Sequence, residues 1–138
     1  MLIVDTGYLV ALLDRKDGHH RAAMQYANTQ SDGWITTWPV ITETMYFLME
    51  RISVEGAVLL LDDIKAGAVR VWDIPTEQLD QAQRLMRRYK SLPMDFADAS
   101  LVLLAEQLGS GRILTTDQRD FGAYRWKSKQ PFEDVMAL

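Results

Sequence analysis

Short β-prone runs alternate with helical stretches along most of this chain, and few folds accommodate that order. Leu2-Ile3-Val4 reads as a buried strand ending at Asp5. A helix is expected over 7–13, then a break at Asp17-Gly18, then a second helix over 19–28. A strand is expected over 34–37. Pro39 suits the first turn of a helix running to about Ile52, and another helix spans roughly 54–65. Val69-Arg70-Val71-Trp72 reads as a strand, followed by a helix from Pro75-Thr76 to about Tyr89. A long helix over 95–108 should stop at Gly109, and its unbroken apolar run Leu101 to Ala105 marks it as buried on most sides. Arg112 to Thr116 reads as a strand closed by Asp117, and Pro131-Phe132-Glu133 as the start of an edge strand in an otherwise ambiguous tail. Strands alternating with helices imply an α/β fold: a central, mainly parallel sheet covered on both faces.

No linker, repeat or low-complexity stretch divides the 138 residues, so one domain over 1–138 is expected. With 48% hydrophobic and 25% charged residues, disorder is excluded for the bulk of the chain. The absence of cysteine excludes disulfides, thiolate zinc sites and cysteine nucleophiles. No apolar run approaches the ~20 residues that span a bilayer. The opening Met1-Leu2-Ile3-Val4-Asp5 does not resemble a signal peptide, and a cytoplasmic location is expected. Net charge is −4, but Arg84, Arg87, Arg88 and Lys90 cluster, as do Arg125, Lys127 and Lys129. Such patches suit phosphate contacts and solvated surfaces equally well.

Parallel α/β sheets place their sites at the carboxyl ends of strands, where Asp5 and Asp117 fall. Either alone could simply cap the next helix; the two together point to a site. Glu43 flanks the packed face of its helix, between Val40 and Phe47. A carboxylate there needs a partner, a salt bridge being the plainer choice. Asp95 and Asp98 stack at i and i+3 on a helix start. The helix dipole explains Asp95 well, and Asp98, sharing a face with Val102 and Ala105, less well. Carboxylates converging with few cations would repel one another, and a divalent ion resolves this. Mg²⁺ or Mn²⁺ takes hard oxygen ligands, and the chemistry that follows is metal-assisted phosphodiester hydrolysis. Thr6 and Thr116, beside the acidic strand ends, are candidate supporting hydroxyls or plain strand-end threonines.

Four blocks, in order and at matching spacing, resemble the PIN-domain family: Leu2-Ile3-Val4-Asp5-Thr6-Gly7, Thr42-Glu43-Thr44, Asp95-Phe96-Ala97-Asp98-Ala99-Ser100-Leu101, and Ile113-Leu114-Thr115-Thr116-Asp117 with Asp120-Phe121 after it. The chain looks most like the VapC-like toxins of bacterial toxin–antitoxin pairs. The resemblance implies a PIN-like three-layer α/β/α sandwich and a metal-dependent endoribonuclease acting on RNA. It carries catalytic roles onto Asp5, Glu43, Asp98 and Asp117, with Asp5, Asp98 and Asp117 holding Mg²⁺ or Mn²⁺. Asp95 is an extra carboxylate, supporting or merely capping. The resemblance also implies a cognate antitoxin protein and a homodimer.

Two rival functions remain open at this point. One is a non-catalytic module binding RNA or a partner through a vestigial site. The other is an aspartyl-phosphate enzyme with Asp5 as nucleophile, although those enzymes usually carry a second Asp where this chain has Gly7. His19-His20 follow a turn and are assigned no catalytic role. Trp34 and Trp72, in strands, are expected in the core, and Trp38 and Trp126 are candidates for the site mouth.

Overall fold

The computed structural model describes residues 1–136. Strand β1 (Leu2–Val4) is followed by helices α1 (Thr6–Leu13) and α2 (His20–Thr29). Strand β2 (Trp34–Thr37) leads into α3 (Trp38–Arg51) and α4 (Val54–Lys65). Strand β3 (Val69–Trp72) leads through a 3₁₀ turn (Thr76–Gln78) into α5 (Leu79–Arg88) and α6 (Phe96–Leu108). Strand β4 (Arg112–Leu114), helix α7 (Gln118–Ala123) and strands β5 (Arg125–Trp126), β6 (Gln130–Pro131) and β7 (Glu133–Asp134) complete the described chain.

The main sheet runs β3-β2-β1-β4-β7. Every neighbouring pair in it is parallel, with Leu2 opposite Trp34 and Ile3 opposite both Ile35 and Ile113. The expectation of a helix-flanked, mainly parallel sheet is met. Chain order reverses between β1 and β4. The first two crossovers step one way from β1 and the third steps back past it. Right-handed crossovers then put α1–α4 on one face and α5–α6 on the other. The gap between β1 and β4 is thus the switch point where α/β sheets open a crevice.

Burial explains why these short strands hold. Leu2, Ile3, Val4, Ile113 and Leu114 are all fully buried, each stabilising by roughly 1.5–3 kcal/mol relative to exposure. Leu101 to Ala105 of α6 are buried as well, as their unbroken apolar run implies. Trp34 is partly buried and meets Tyr8 edge-on at 5.5 Å. Trp72 is also partly buried against the core.

The structure corrects several local expectations. Strand β4 ends at Leu114, not Thr116. Asp5 N–H still donates to Leu114 O at 3.0 Å, but Thr6 opens α1, so β1 offers no strand backbone for Thr115 or Thr116 to pair with. Helix α7 was not anticipated. Neither was the antiparallel β5–β6 hairpin, whose turn passes through Lys127 (φ 49°) and Ser128 (φ 66°). The edge strand exists but starts at Glu133, pairing with β4. Trp126 belongs to the hairpin, where its Nε1–H donates to Pro131 O at 3.0 Å; it is not at the mouth of the crevice described below.

Candidate active site

Three acidic residues begin helices around the switch point. Asp5 caps α1, Asp95 caps α6 and Asp117 caps α7. Asp95 Oδ1 accepts from Asp98 N–H at 2.8 Å, and Asp117 Oδ1 accepts from Asp120 N–H at 3.1 Å. The two helix starts repeat one device: a capping Asp, then a second Asp three residues on that faces inward. Capping and site placement therefore coexist in the same residues.

These carboxylates share one cleft of about 430 Å³. Asp5, Glu43, Asp98 and Asp117 all line it, and so do Thr6, Asp95 and Thr116. Every carboxylate and threonine singled out from the sequence is thus brought to one place, whereas Trp38 and Trp126 do not line it. Asp17, Asp120 and Arg51 line it too. His19 and His20 do not: His20 Nδ1 is tied to Ala11 O at 2.7 Å, and His19 reaches only the outer side of the lining through Asp17, at 3.6 Å. The basic clusters around Arg87 and Lys127 also lie outside the lining.

Asp5 is the most deeply placed carboxyl of the cleft, only 6% exposed. Its Oδ1 accepts from Thr6 N–H at 2.7 Å and its Oδ2 from the Thr115 hydroxyl at 2.9 Å. Burial pushes its pKa up to about 7; those two hydrogen bonds pull the other way, and Glu43 and Asp117 add repulsion. Asp98 is also raised to about 7, first by burial and then by repulsion from Asp95. Tyr124, fully buried, donates its hydroxyl to Asp98 Oδ2 at 2.9 Å. Glu43 is raised by burial and by Asp95, and Asp117 chiefly by burial. Among the described residues, neither Asp5 nor Asp98 has an ion-pair partner. Groups of like charge left unpaired at this depth keep a proton or require a cation.

The donor set fits a hard divalent ion, being all oxygen. The Thr6 hydroxyl is buried beside Glu43, whose pKa it pulls down, but reaches no partner at full hydrogen-bond geometry, leaving room for a water or ion ligand between them. Among the described residues, no three carboxylates or imidazoles already converge tightly enough to hold an ion unaided.

Thr115 and Asp120 stand in the fourth sequence block but were assigned no role, and Tyr124 was not singled out at all. The repeat of the Asp-x-x-Asp spacing at 95/98 and 117/120 could have flagged Asp120. Nothing local marks Tyr124, which reaches Asp98 across 26 positions. Thr116 has a tighter role than expected: a Cβ on Gly7 would collide with its hydroxyl, so the first turn of α1 packs directly on the β4 exit.

The PIN domain family model matches residues 2–127. Ribonuclease VapC26 of Mycobacterium tuberculosis (strain ATCC 25618 / H37Rv) is 28% identical over 124 residues, spanning 90% of this chain and 92% of that protein. The crystal structure of M. tuberculosis VapC20, described as a Sarcin-Ricin loop cleaving toxin, matches with a TM-score of 0.80 at 22% identity. That match covers 86% of this chain and 92% of the other, and shows the shared fold. With seven carboxylates lining the crevice at the switch point of the sheet and the family match running through nearly all of the described chain, this protein belongs to the PIN domain family.

Proposed function

We propose that this protein is a metal-dependent endoribonuclease that hydrolyses RNA phosphodiester bonds in the acidic cleft. The observation that carries the proposal is the pair Asp5, buried, and Asp98, half-buried: both are bonded only by uncharged donors and share one cleft with Glu43, Asp95 and Asp117. Similarity to a ribonuclease along 90% of the chain supports RNA as the substrate.

Asp5, Asp98 and Asp117 are the residues assigned to hold Mg²⁺ or Mn²⁺. When bound, the ion acidifies water and offsets charge on the phosphoryl oxygens. The remaining work belongs to the chain. Thr6 N–H and the Thr115 hydroxyl fix the orientation of Asp5, and Tyr124 fixes Asp98. Thr115 also accepts from Asp117 N–H at 2.9 Å, so one hydroxyl couples two of the carboxylates. Glu43, whose raised pKa favours proton acceptance nearer neutrality, is assigned the proton of the attacking water. Asp95 serves as the cap that aims the start of α6, and Thr6 and Thr116 are assigned supporting contacts to water.

The resemblance to toxins extends the proposal to a cognate antitoxin, a homodimer and a cytoplasmic setting. No helix among the described residues is long and apolar enough to cross a membrane. The test is cleavage of total cellular RNA by purified protein with Mg²⁺, with Mn²⁺ and with EDTA, beside Asp98→Asn. Bands that need the metal and vanish in the variant are expected. Intact RNA with both metals, or bands surviving EDTA, would overturn the proposal.

A further inference from the structure

We propose that Arg51, with Arg15 and Lys16, forms a subsite for an uncleaved phosphate of the same strand, next to the phosphodiester held in the acidic cleft. The inference rests on the ribonuclease proposal above and deepens it.

A strand entering the cleft meets seven carboxylates, and among the described residues that line it Arg51 is the one Lys or Arg. A divalent ion offsets charge at the reacting phosphate. The next phosphate along the strand needs a cation of its own. Glu43, Phe47 and Arg51 follow one another at i+4 along α3, so they form a single row on the cleft wall. Glu43 and Arg51 lie about two turns apart, roughly 12 Å along the axis. The Arg51 guanidinium lies over the Phe47 ring, 5.5 Å from its centroid, and so closes part of that distance.

Arg51 is anchored on one side only. Its Nη1 donates to Asp17 Oδ2 at 3.1 Å and lies 3.9 Å from Asp14 Oδ2. Its Nε and Nη2 have no partner among the described residues. That edge of a guanidinium matches two oxygens of a phosphate. The ion pairs and the Phe47 ring hold the group in place before a strand arrives, so little side-chain freedom is lost on binding. A salt bridge that neutralises the buried Asp14 accounts for Nη1 alone. Arg119, beside Asp120 of the cleft, offers no such edge: its Nε donates to Asp120 Oδ1 at 3.3 Å and its Nη2 to Leu92 O at 3.5 Å.

Arg51 also lines a neighbouring hollow of about 350 Å³ together with Arg15, Lys16 and Asp14. Arg15 and Lys16 are exposed, and neither side chain has a partner among the described residues. Asp14 is already engaged: its Oδ1 accepts from Lys16 N–H at 3.0 Å and its Oδ2 faces Arg51. Three cations around one hollow, joined to an acidic cleft through Arg51, attract a polyanion to that side of a net-acidic chain.

The experiment measures kcat and KM with Mn²⁺ on a fluorescent oligoribonucleotide, for the parent, Arg51→Ala, Arg51→Lys and Arg15→Ala combined with Lys16→Ala. Matched substrates carry a single uncharged methylphosphonate linkage, placed at successive positions on either side of the cleaved bond. At one position the neutral linkage should raise the KM of the parent about tenfold, with kcat little changed, and cost Arg51→Ala nothing further. On the fully charged strand Arg51→Ala should raise KM by the same factor, and Arg51→Lys, which keeps the charge without the fork, should recover part of it. The slope of log KM against log salt should flatten by about 0.7 for each phosphate contact removed, in Arg51→Ala and in the Arg15/Lys16 variant alike. If the parent handles every neutral linkage as it handles phosphate, the inference falls while the nuclease proposal stands. The same holds if Arg51→Ala lowers Tm but moves neither KM nor the salt slope, which would leave Arg51 as the counter-ion of Asp14 and Asp17 and open the hollow to an acidic protein segment instead. If the parent cleaves no RNA, the nuclease proposal falls. Fluorescence anisotropy of the same strands with Mn²⁺ then reads the subsite directly, and equal affinity for charged and neutral linkages overturns it. Should Arg51→Ala fail to fold, the neutral-linkage scan on the parent still decides.

Discussion

Replacing Asp5 by Asn should stabilise the metal-free protein at alkaline pH, and the size of the effect follows from burial. The Asp5 carboxyl, 6% exposed, ionises only near pH 7 in the fold against 3.8 in an unfolded chain. Between those values the folded protein binds the proton that the unfolded chain has lost. Stability therefore falls as pH rises through that window, and above about pH 7 the full cost is present. A shift of that size corresponds to roughly 4 kcal/mol. Relaxation and repulsion shared with Asp98 reduce what one substitution recovers. The asparagine amide can keep both hydrogen bonds, its oxygen accepting from Thr6 N–H and its nitrogen donating to Thr115. The Thr115 hydroxyl must then find another acceptor, at a cost of about 1 kcal/mol. A net gain of about 2 kcal/mol remains. For a chain of this length that raises Tm by roughly 7 °C. The assay is thermal unfolding by circular dichroism in EDTA, for parent and Asp5→Asn, from pH 4 to pH 8. The advantage of the variant should be largest at pH 8 and shrink steadily toward pH 4. Saturating Mn²⁺ should raise the parent and leave the variant nearly unmoved. A variant less stable than the parent at pH 8, or an advantage independent of pH, would refute the assignment of Asp5 as an uncompensated buried charge.

Two further outcomes follow from the same geometry. Tyr124→Phe removes the donor that holds the Asp98 pKa down. At subsaturating Mn²⁺ the acid limb of the cleavage profile should move upward by about one pH unit, and an unmoved limb would mean Asp98 does not control metal loading. Gly7→Ala should cost about 1–3 kcal/mol by overpacking, because its Cβ would meet the Thr116 hydroxyl. Adding Thr116→Ala should recover most of that loss in denaturant unfolding, and strict additivity of the two changes would show that the contact is not the cause.

Much of the sheet was legible because its signals are local. Leu2-Ile3-Val4 is too short and too apolar to be anything but a buried strand, and each helix of the first two crossovers ends near its own break. The acidic residues were legible for the same reason: a carboxylate just past a buried strand, or at the edge of an apolar helix face, is costly without a purpose. What escaped was set by distance in the chain or by weak punctuation. The choice of Thr115 as partner of Asp5 depends on β4 stopping at Leu114, a register fixed by β1 and invisible in the run Ile113 to Thr116. Helix α7 covers only Gln118–Ala123 and contains Gly122, too little for a periodic pattern. The hairpin turn puts Lys127 and Ser128 in the left-handed region, where glycine or asparagine would have announced it. Tyr124 meets Asp98 only because α6 and the α7 exit pack together, which no window of sequence contains.

The central claim is that carboxylates and a metal, not a histidine pair or the RNA 2′-hydroxyl, carry the cleavage. The most direct measurement uses an oligoribonucleotide with a single 2′-deoxy sugar at the cleaved position, incubated with Mn²⁺ and the parent or Asp98→Asn. The account predicts that the parent still cuts this bond, leaves 5′-phosphate and 3′-hydroxyl ends, and stops in EDTA, while Asp98→Asn leaves it intact. Loss of cutting at the deoxy position, with cyclic phosphate ends on the unmodified RNA, would contradict it.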